Sequence, residues 1–267
     1  MPVKVQDILN IIETIAPAGL AEDWDNVGLM IGNPADPVES ILIGLDPTLP
    51  LLEEAGARGA NLLITHHPFL FHPLRSIHLG SPEGRFVERA LQARINVIGC
   101  HTNLDSAAEG VSDSLASRLG LADTVPLLAR SGSDQCGMGR IGRYQEALTV
   151  DEFIEQLREA CSPPWLLATA NRPVSISRVA VCGGSGSELA AVALEKGAQV
   201  FVTSEVKHST ARWAEQAGLW VVDAGHFATE NQALGVFAEK LAGEVKRLFK
   251  PIDMNITRQQ SSPLLLL

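Results

Sequence analysis

Short apolar runs that alternate with helical periodicity constrain the fold of this chain more than any other feature. Six runs are rich in β-branched residues and nearly continuous in hydrophobicity, which predicts strands that are buried on both faces. These are ILIGL (41–45), NLLIT (61–65), INVIG (95–99), RVAVC (178–182), AQVFV (198–202) and LWVVD (219–223). Amphipathic periodicity predicts helices at 49–58, 82–93, 107–119, 186–196, 208–217 and 228–248. The alternation predicts an α/β fold with mostly parallel sheets.

The middle of the chain is looser than its two ends. Glycines and prolines cluster between residues 121 and 177, where the pattern predicts one helix, at 150–160. A chain of 267 residues is long enough for one large domain or for two compact lobes. We predict a first α/β lobe at 1–125, a second at 126–225, and a C-terminal helix and tail at 226–267 that return to the first lobe.

The charge balance narrows the class of ligand. The chain has 31 acidic and 21 basic residues, for a formal net charge of −10. An acidic surface repels phosphate polymers, which disfavours general nucleic-acid binding. An anionic substrate would need a local positive site, and a bound metal ion supplies one. Composition therefore favours a small-molecule partner.

The spacing of the cysteines and the hydropathy of the chain indicate in which cellular compartment the protein is expected. The four cysteines form no CxxC pair, which disfavours a disulfide framework and a thiolate zinc site and is typical of a reducing compartment. The N-terminal segment has the periodicity of an amphipathic helix, and no segment approaches membrane-spanning length. We expect a cytoplasmic protein without membrane contact, in which Leu264 to Leu267 form a frayed tail or a small packing patch.

Polar residues follow almost every predicted strand. Parallel sheets bind ligands outside the carboxyl ends of their strands, so we expect one cleft to collect these residues. They include Asp46, Thr65, His66, His67, Cys100, His101, Asp105, Gly183 to Ser185, Ser204, Glu205 and Asp223 to His226.

His66 and His67 close a predicted strand and precede Pro68, which favours an extended backbone at His67. Neighbouring residues of an extended chain point to opposite faces, so the two imidazoles could serve two metal ions. The alternative is a pair of histidines that make ordinary capping or loop hydrogen bonds.

Three more candidates lie at helix starts. Asp105 precedes the segment SAAE (106–109), which has the form of a capping box; if Ser106 caps the helix, Asp105 is available as a metal ligand. Otherwise Asp105 stabilises the helix N-terminus through the dipole. His226 and Glu230 are four residues apart and share one helical face, as a ligand pair or as a weak surface contact.

Taken together, these five residues supply nitrogen and oxygen ligands without thiolate. Such a set suits two divalent ions of zinc, manganese, iron or cobalt, and a bridging carboxylate is what a dinuclear centre requires. A structural zinc is more often closed by cysteines. The set is therefore typical of a site that generates hydroxide at neutral pH.

Six segments, in order along nearly the whole chain, resemble the signature segments of the Nif-three-like family, whose bacterial members are often labelled GTP cyclohydrolase I type 2 homologues. They are WDNVGLMIG (24–32), ITHHPFLF (64–71), GCHTNLD (99–105), VCGGSGSE (181–188), TSEVKHS (203–209) and DAGHFATE (223–230). The resemblance implies a dinuclear metal centre in a cleft between two α/β lobes, and a toroidal homo-hexamer. By motif position it implies metal binding by His66, His67, Asp105, His226 and Glu230, with Glu230 as the shared ligand.

Two residues are candidates for catalysis. His101 lies four positions before Asp105 and either orients a ligand or acts as a general base; the alternative is a hydrogen-bonded loop histidine. Glu205 follows a strand together with Lys207 and His208, and Lys207 could hold an anionic group. The alternative is a solvated helix start.

Two further segments have plain structural alternatives. The glycine-rich segment 183–187 could cradle a phosphate at a helix N-terminus, but it is neither GxGxxG nor a P-loop, and a strand-to-helix turn is the simpler interpretation. Residues 24–26 are predicted to form a turn whose side chains line the cleft.

The sequence thus favours a dinuclear metal-dependent hydrolase of a nucleotide-like or heterocyclic small molecule. In the GTP cyclohydrolase reaction that the resemblance implies, metal-bound hydroxide attacks C8 of the purine and formate is released. The alternative is a non-enzymatic metal-binding or regulatory scaffold protein. A structural metal clip is disfavoured because lobes of this size do not need one.

Overall fold

The computed structural model describes residues 2–267. The strands are β1 Gly28–Ile31, β2 Ser40–Gly44, β3 Leu62–Thr65, β4 Asn96–Gly99, β5 Ala122–Ala129, β6 Gly137–Leu148, β7 Leu167–Ala168, β8 Ile176–Ser185, β9 Val200–Ser204, β10 Trp220–Asp223 and β11 Asp253–Ile256. The helices are α1 Val5–Ile15, α2 Leu49–Ala57, α3 Pro82–Ala93, α4 Thr102–Ser106, α5 Val111–Arg118, α6 Val150–Cys161, α7 Ala190–Glu195, α8 His208–Ala217, α9 His226–Asn231 and α10 Ala233–Leu248. The predicted α/β fold is confirmed.

The described chain divides into two compact units. The first runs to Leu104 and resumes at Leu234–Gln260, and the second comprises Asp105–Ala233 and Ser261–Leu267. This division differs from the predicted boundary near residue 125. Helix α5 lies before that boundary, but its Leu115 is buried in one apolar cluster with Val179 and Val181 of β8, which places the helix in the second unit.

The first unit is built on a sheet with the strand order β1-β4-β3-β2-β11. Strands β4, β3, β2 and β11 pair in parallel, and β1 pairs antiparallel with β4. Apolar side chains of α2 and α3, among them Leu52 and Phe86, pack with Leu42 and Leu63 of the sheet. The mostly parallel sheet that the buried runs predict is confirmed in this unit.

The second unit contains a mixed sheet with the order β5-β6-β8-β9-β10-β7. Strands β8, β9 and β10 pair in parallel, whereas the β5–β6, β6–β8 and β10–β7 pairings are antiparallel. The antiparallel strands β5, β6 and β7 come from the stretch 121–177, where no strand was predicted. They expose many of their side chains, so they lack the continuous apolar runs that identify the other strands.

Arg140 anchors the second unit from within. Its side chain is buried and donates two hydrogen bonds of 2.6 Å to the carboxylate of Asp113 at the start of α5. It also donates to the carbonyl oxygens of Gly137, Gly139 and Ala107. A bidentate pair with these additional bonds satisfies the buried guanidinium and fixes α5 against β6.

Two predicted helices are interrupted. The predicted capping box at 106–109 is wrong: Ser106 ends α4, Glu109 has a φ of 54°, and the N-cap of α5 is Gly110. Asp105 therefore lies inside a short helix instead of before a longer one. The last predicted helix divides at Gln232 into α9 and α10. Among the described residues, no helix is long and apolar enough to cross a membrane.

Candidate metal centre

Three histidines of the first unit gather where neighbouring strands end. His66 and His67 follow β3 directly, and His101 follows β4 after Cys100. Strands β3 and β4 are parallel neighbours, so their carboxyl ends bring the three rings to one edge of the sheet. The ring centroids are 5.1 to 5.5 Å apart, and one ring nitrogen of each lies within 4.8 Å of the others. This group can hold a metal ion.

Each of these rings is oriented by a hydrogen bond from its Nδ1 atom. His66 bonds the carbonyl oxygen of Cys100 at 2.8 Å, His67 bonds Oδ1 of Asp46 at 2.7 Å, and His101 bonds Oδ1 of Asp25 at 2.9 Å. In a neutral imidazole that donates from Nδ1, the lone pair lies on Nε2. This is the arrangement that metal-binding histidines usually show.

Asp25 is the most strongly held of these acceptors. Its second carboxylate oxygen accepts hydrogen bonds from the backbone N–H and the hydroxyl of Thr102, at 3.0 and 2.5 Å. Burial by itself raises the pKa of Asp25, but the hydrogen bonds from His101 and Thr102 and the charge of His101 bring the pKa well below its usual range. Asp25 is therefore ionised at neutral pH and holds the His101 ring in place.

In the second unit, His226 begins helix α9 and lies between the side chains of two glutamates. Its Nδ1 atom is 2.9 Å from Oε1 of Glu205, which follows β9, and its Nε2 atom is 3.0 Å from Oε2 of Glu230. Glu205 is mostly exposed and has a φ of 54°, an uncommon backbone conformation for a residue other than glycine. Glu205 thus fixes the His226 ring from the solvent side.

Asp105 and Glu230 form a buried pair of carboxylates. They are 7% and 3% exposed, and a carboxylate oxygen of each lies within 4.8 Å of the other. Both carboxylates also lie near the thiol of Cys182. Burial raises the pKa of this thiol, and the charges of Asp105, Glu188 and Glu230 raise it further. Two buried like charges this close repel each other, and a divalent cation offsets that repulsion. This part of the chain also fits a metal ion.

The glycine-rich segment makes room for these acids instead of cradling a phosphate. A side chain at Gly184 would put its Cβ 2.0 Å from Oε1 of Glu230, and Gly184 has a φ of 64°. The backbone N–H of Gly184 donates to the hydroxyl of Thr229, and that of Gly186 donates to the hydroxyl of Thr203. The turn interpretation is therefore favoured.

The donor set consists of imidazole and carboxylate groups, which suits a divalent transition metal ion in either unit. Among the described residues, no cysteine belongs to these groups. Burial raises the pKa of Cys100 to about 12 and also raises the pKa of Cys182. The first unit thus brings His66 and His67 together with His101, and the second brings Asp105, His226 and Glu230 together with Glu205.

The sequence analysis placed Asp46 and residues 24–26 at the cleft without assigning them a role, and it left Lys207 as a candidate anion-binding residue. Lys207 and His208 lie exposed at the start of α8. The acceptors Asp25 and Asp46 were not predicted to orient histidines. Asp46 follows β2 closely, so its place beyond a strand end was a usable signal, whereas the pairing of Asp25 with His101 spans 76 residues and carries no local signal.

Comparison with known proteins identifies relatives over nearly the whole chain. The family model of Duf34/NIF3 (NGG1p interacting factor 3) matches residues 3–263. A protein of Clostridium acetobutylicum named GTP cyclohydrolase 1 type 2 homolog is 32% identical over 250 residues, which cover 93% of each chain. Among solved structures, a Bacillus cereus protein related to NIF3 superposes with a TM-score of 0.91 at 23% identity, and protein SA1388 of Staphylococcus aureus with 0.89 at 25% identity; both alignments cover 100% of each chain.

Proposed function

This chain belongs to the Duf34/NIF3 family, and from that premise we propose that it is a dinuclear metal-dependent hydrolase of a nucleotide-like or other heterocyclic small molecule. We assign the metal ions to His66, His67, Asp105, His226 and Glu230. The observation that carries the proposal is the set of imidazoles whose Nδ1 atoms are held by oxygen acceptors. A structural role alone does not require each ring to be oriented in this way.

Bound divalent ions would activate water near neutral pH and attract an anionic group of the substrate. The protein's own residues orient the centre around them. Glu230 is the shared ligand in this proposal, and Glu205 keeps the His226 ring in place through its 2.9 Å contact with Nδ1. The buried carboxylates of Asp105 and Glu230 would supply the negative charge that holds the cations.

His101 is the proton-transfer residue in the proposed mechanism. Its Nδ1 proton is shared with the ionised carboxylate of Asp25, so Nε2 is the atom that takes up or releases a proton. An ordinary loop histidine would not need a buried, ionised partner.

The substrate class comes from the relatives. Several are named GTP cyclohydrolase 1 type 2 homolog, which supports a nucleotide as the substrate. Ring opening with release of formate is the reaction that the family resemblance implies. The substrate panel should therefore include both purine and pyrimidine nucleotides. We also propose a homo-hexamer, as the family resemblance implies.

The test is metal analysis of the purified protein followed by incubation with a nucleotide panel under zinc, manganese, iron and cobalt. We expect turnover that is lost in chelator and restored by one of these ions, and lost in His101→Ala at unchanged metal content. Binding of metal without turnover of any nucleotide would favour the alternative, a metal-binding or regulatory scaffold.

A further inference from the structure

Two large aromatic side chains lie exposed beside the histidine group of the first unit. Trp24 is 57% exposed and Phe71 is 41% exposed, and their ring centroids are 5.5 Å apart. Each ring also contacts His101, at centroid distances of 6.0 and 6.1 Å. The three rings therefore form one continuous surface that reaches the proposed proton-transfer residue.

The chain topology places this surface at the ligand-binding edge of the sheet. Strand β1 runs antiparallel to β4, with Gly28 opposite Gly99, so the residues just before β1 arrive where β4 ends. Phe71 follows the two histidines at the end of β3 by a few residues. The aromatic surface and the histidine group thus share one edge because of the strand order.

Polar anchors hold both aromatic residues in place. Asp25, the neighbour of Trp24, is tied to His101 and Thr102, and the amide of Asn26 donates a 2.6 Å hydrogen bond to the carbonyl oxygen of Leu70, the neighbour of Phe71. The Asn26 bond joins the two loops across 44 residues. Both rings are consequently positioned without being buried.

The contrast with Phe69 indicates that this exposure is not required by the fold. Phe69 lies two residues before Phe71 and stacks on Phe86 at a centroid distance of 4.2 Å, in contact with the core. Phe71 leaves much of its apolar surface in water, which forgoes most of the stabilisation that burial would give. Exposed, fixed aromatic rings are typical of surfaces that stack on planar ligands.

We propose that Trp24 and Phe71 form a stacking platform for the planar heterocyclic ring of the substrate and so select nucleotide-like molecules over sugar phosphates. The inference rests on the proposed function for its reaction, but not for binding. A flat aromatic surface would favour heterocyclic substrates over sugars because it contacts the whole face of a planar ring. Stacking is tolerant of the identity of the base, because every base offers a π face.

The experiment measures binding by calorimetry, using guanosine 5′-monophosphate and ribose 5-phosphate as probes. Both carry a ribose and a 5-phosphate, and ribose 5-phosphate has a hydroxyl group where the nucleotide has its base. The metal-loaded protein should bind the nucleotide more tightly than ribose 5-phosphate. Trp24→Ala and Phe71→Ala should each weaken nucleotide binding about 5- to 150-fold while leaving the affinity for ribose 5-phosphate unchanged. Trp24→Phe should retain most of the preference, because it keeps an aromatic face.

The matched control is Trp213→Ala, which removes a 38% exposed tryptophan from α8 and should leave both affinities unchanged. Metal content and light-scattering mass are measured for every variant. Equal binding of the two probes by the unaltered protein, or an unchanged preference in Trp24→Ala and Phe71→Ala, would overturn the platform. So would a loss of preference that accompanies a change in assembly mass.

The outcome separates this inference from the proposed function. A nucleotide preference that depends on Trp24 and Phe71 in a protein without turnover supports the platform while the hydrolase assignment fails. Metal-dependent hydrolysis of ribose 5-phosphate at the same efficiency as the nucleotide supports the hydrolase and overturns the platform.

Discussion

Asp46 accepts a hydrogen bond of 2.7 Å from Nδ1 of His67, which joins the segments that follow two neighbouring parallel strands, β2 and β3. The bond fixes the ring plane and the tautomer of His67, so its Nε2 atom is presented in one direction. The same device recurs in the first unit with Asp25 and His101. Orientation of imidazoles by carboxylates is thus the common principle of this group.

Removal of the Asp46 carboxylate should weaken metal binding. We expect Asp46→Ala to lower metal affinity about 10- to 100-fold, because the His67 ring loses its orienting acceptor, while Asp46→Asn retains part of it. Competition against a chromophoric chelator measures the affinity. Asp134→Ala, at an exposed position, is the control, and wild-type affinity in Asp46→Ala would argue against His67 as a ligand.

Neutralising Glu230 should reduce the metal content. We expect about two transition metal ions per chain in protein purified without chelator, and clearly fewer in Glu230→Gln, because loss of a shared carboxylate would leave both ions with one ligand fewer and their mutual repulsion less offset. Elemental analysis gives the stoichiometry. Glu188 also raises the pKa of Cys182 but is exposed, so Glu188→Gln should keep the full content. Full occupancy in Glu230→Gln would remove Glu230 from the site.

A methyl group at Gly184 should disturb the Glu230 carboxylate. Gly184→Ala places Cβ 2.0 Å from Oε1 of Glu230, whereas Gly218→Ala meets nothing within 4 Å although Gly218 also has a positive φ. Gly218→Ala should cost about 1–2 kcal/mol of stability from backbone strain alone. Gly184→Ala should cost more and should lower the metal content as well. Denaturant unfolding and elemental analysis test this, and identical behaviour of the two variants would contradict it.

Catalysis should not depend on the Cys100 thiol. Burial raises its pKa to about 12, so the thiolate nucleophile is absent at any pH well below that value. Cys100→Ala should therefore retain metal binding and turnover, and iodoacetamide should leave Cys100 unlabelled between about pH 7 and 9 in the folded protein. Mass spectrometry reads the labelling, with the half-exposed Cys136 as the reference thiol. Loss of turnover in Cys100→Ala with metals still bound would overturn the mechanism.

The proposed assembly predicts a solution mass of about six times the 28.5 kDa chain. Light scattering over a range of protein concentrations measures this mass. A monomer mass that does not change with concentration would exclude the hexamer, and it would leave the metal-binding proposal untouched because that proposal rests on the side chains of the chain itself.

Local sequence pattern determined most of the parallel strands and the residues that follow them. The runs at 41–45, 61–65 and 95–99 are buried on both faces in the sheet, so continuous hydrophobicity identified them. The strands β5 and β6 were not predicted, because buried and exposed residues follow no regular pattern in them and β5 has many exposed residues. The capping-box pattern at 106–109 predicted the wrong helix start. Glu109 has a positive φ and Gly110 is extended, so α5 begins only after them.

The sequence by itself determined which side chains stand beyond strand ends, because strand periodicity and the residues that follow are local properties of the chain. Only the tertiary structure decided which of them meet. Asp25 reaches His101 across 76 residues, and Gly184 donates to Thr229 across 45. Such pairs depend on strand order and on how distant loops are brought together, and neither is encoded in the periodicity of a single segment.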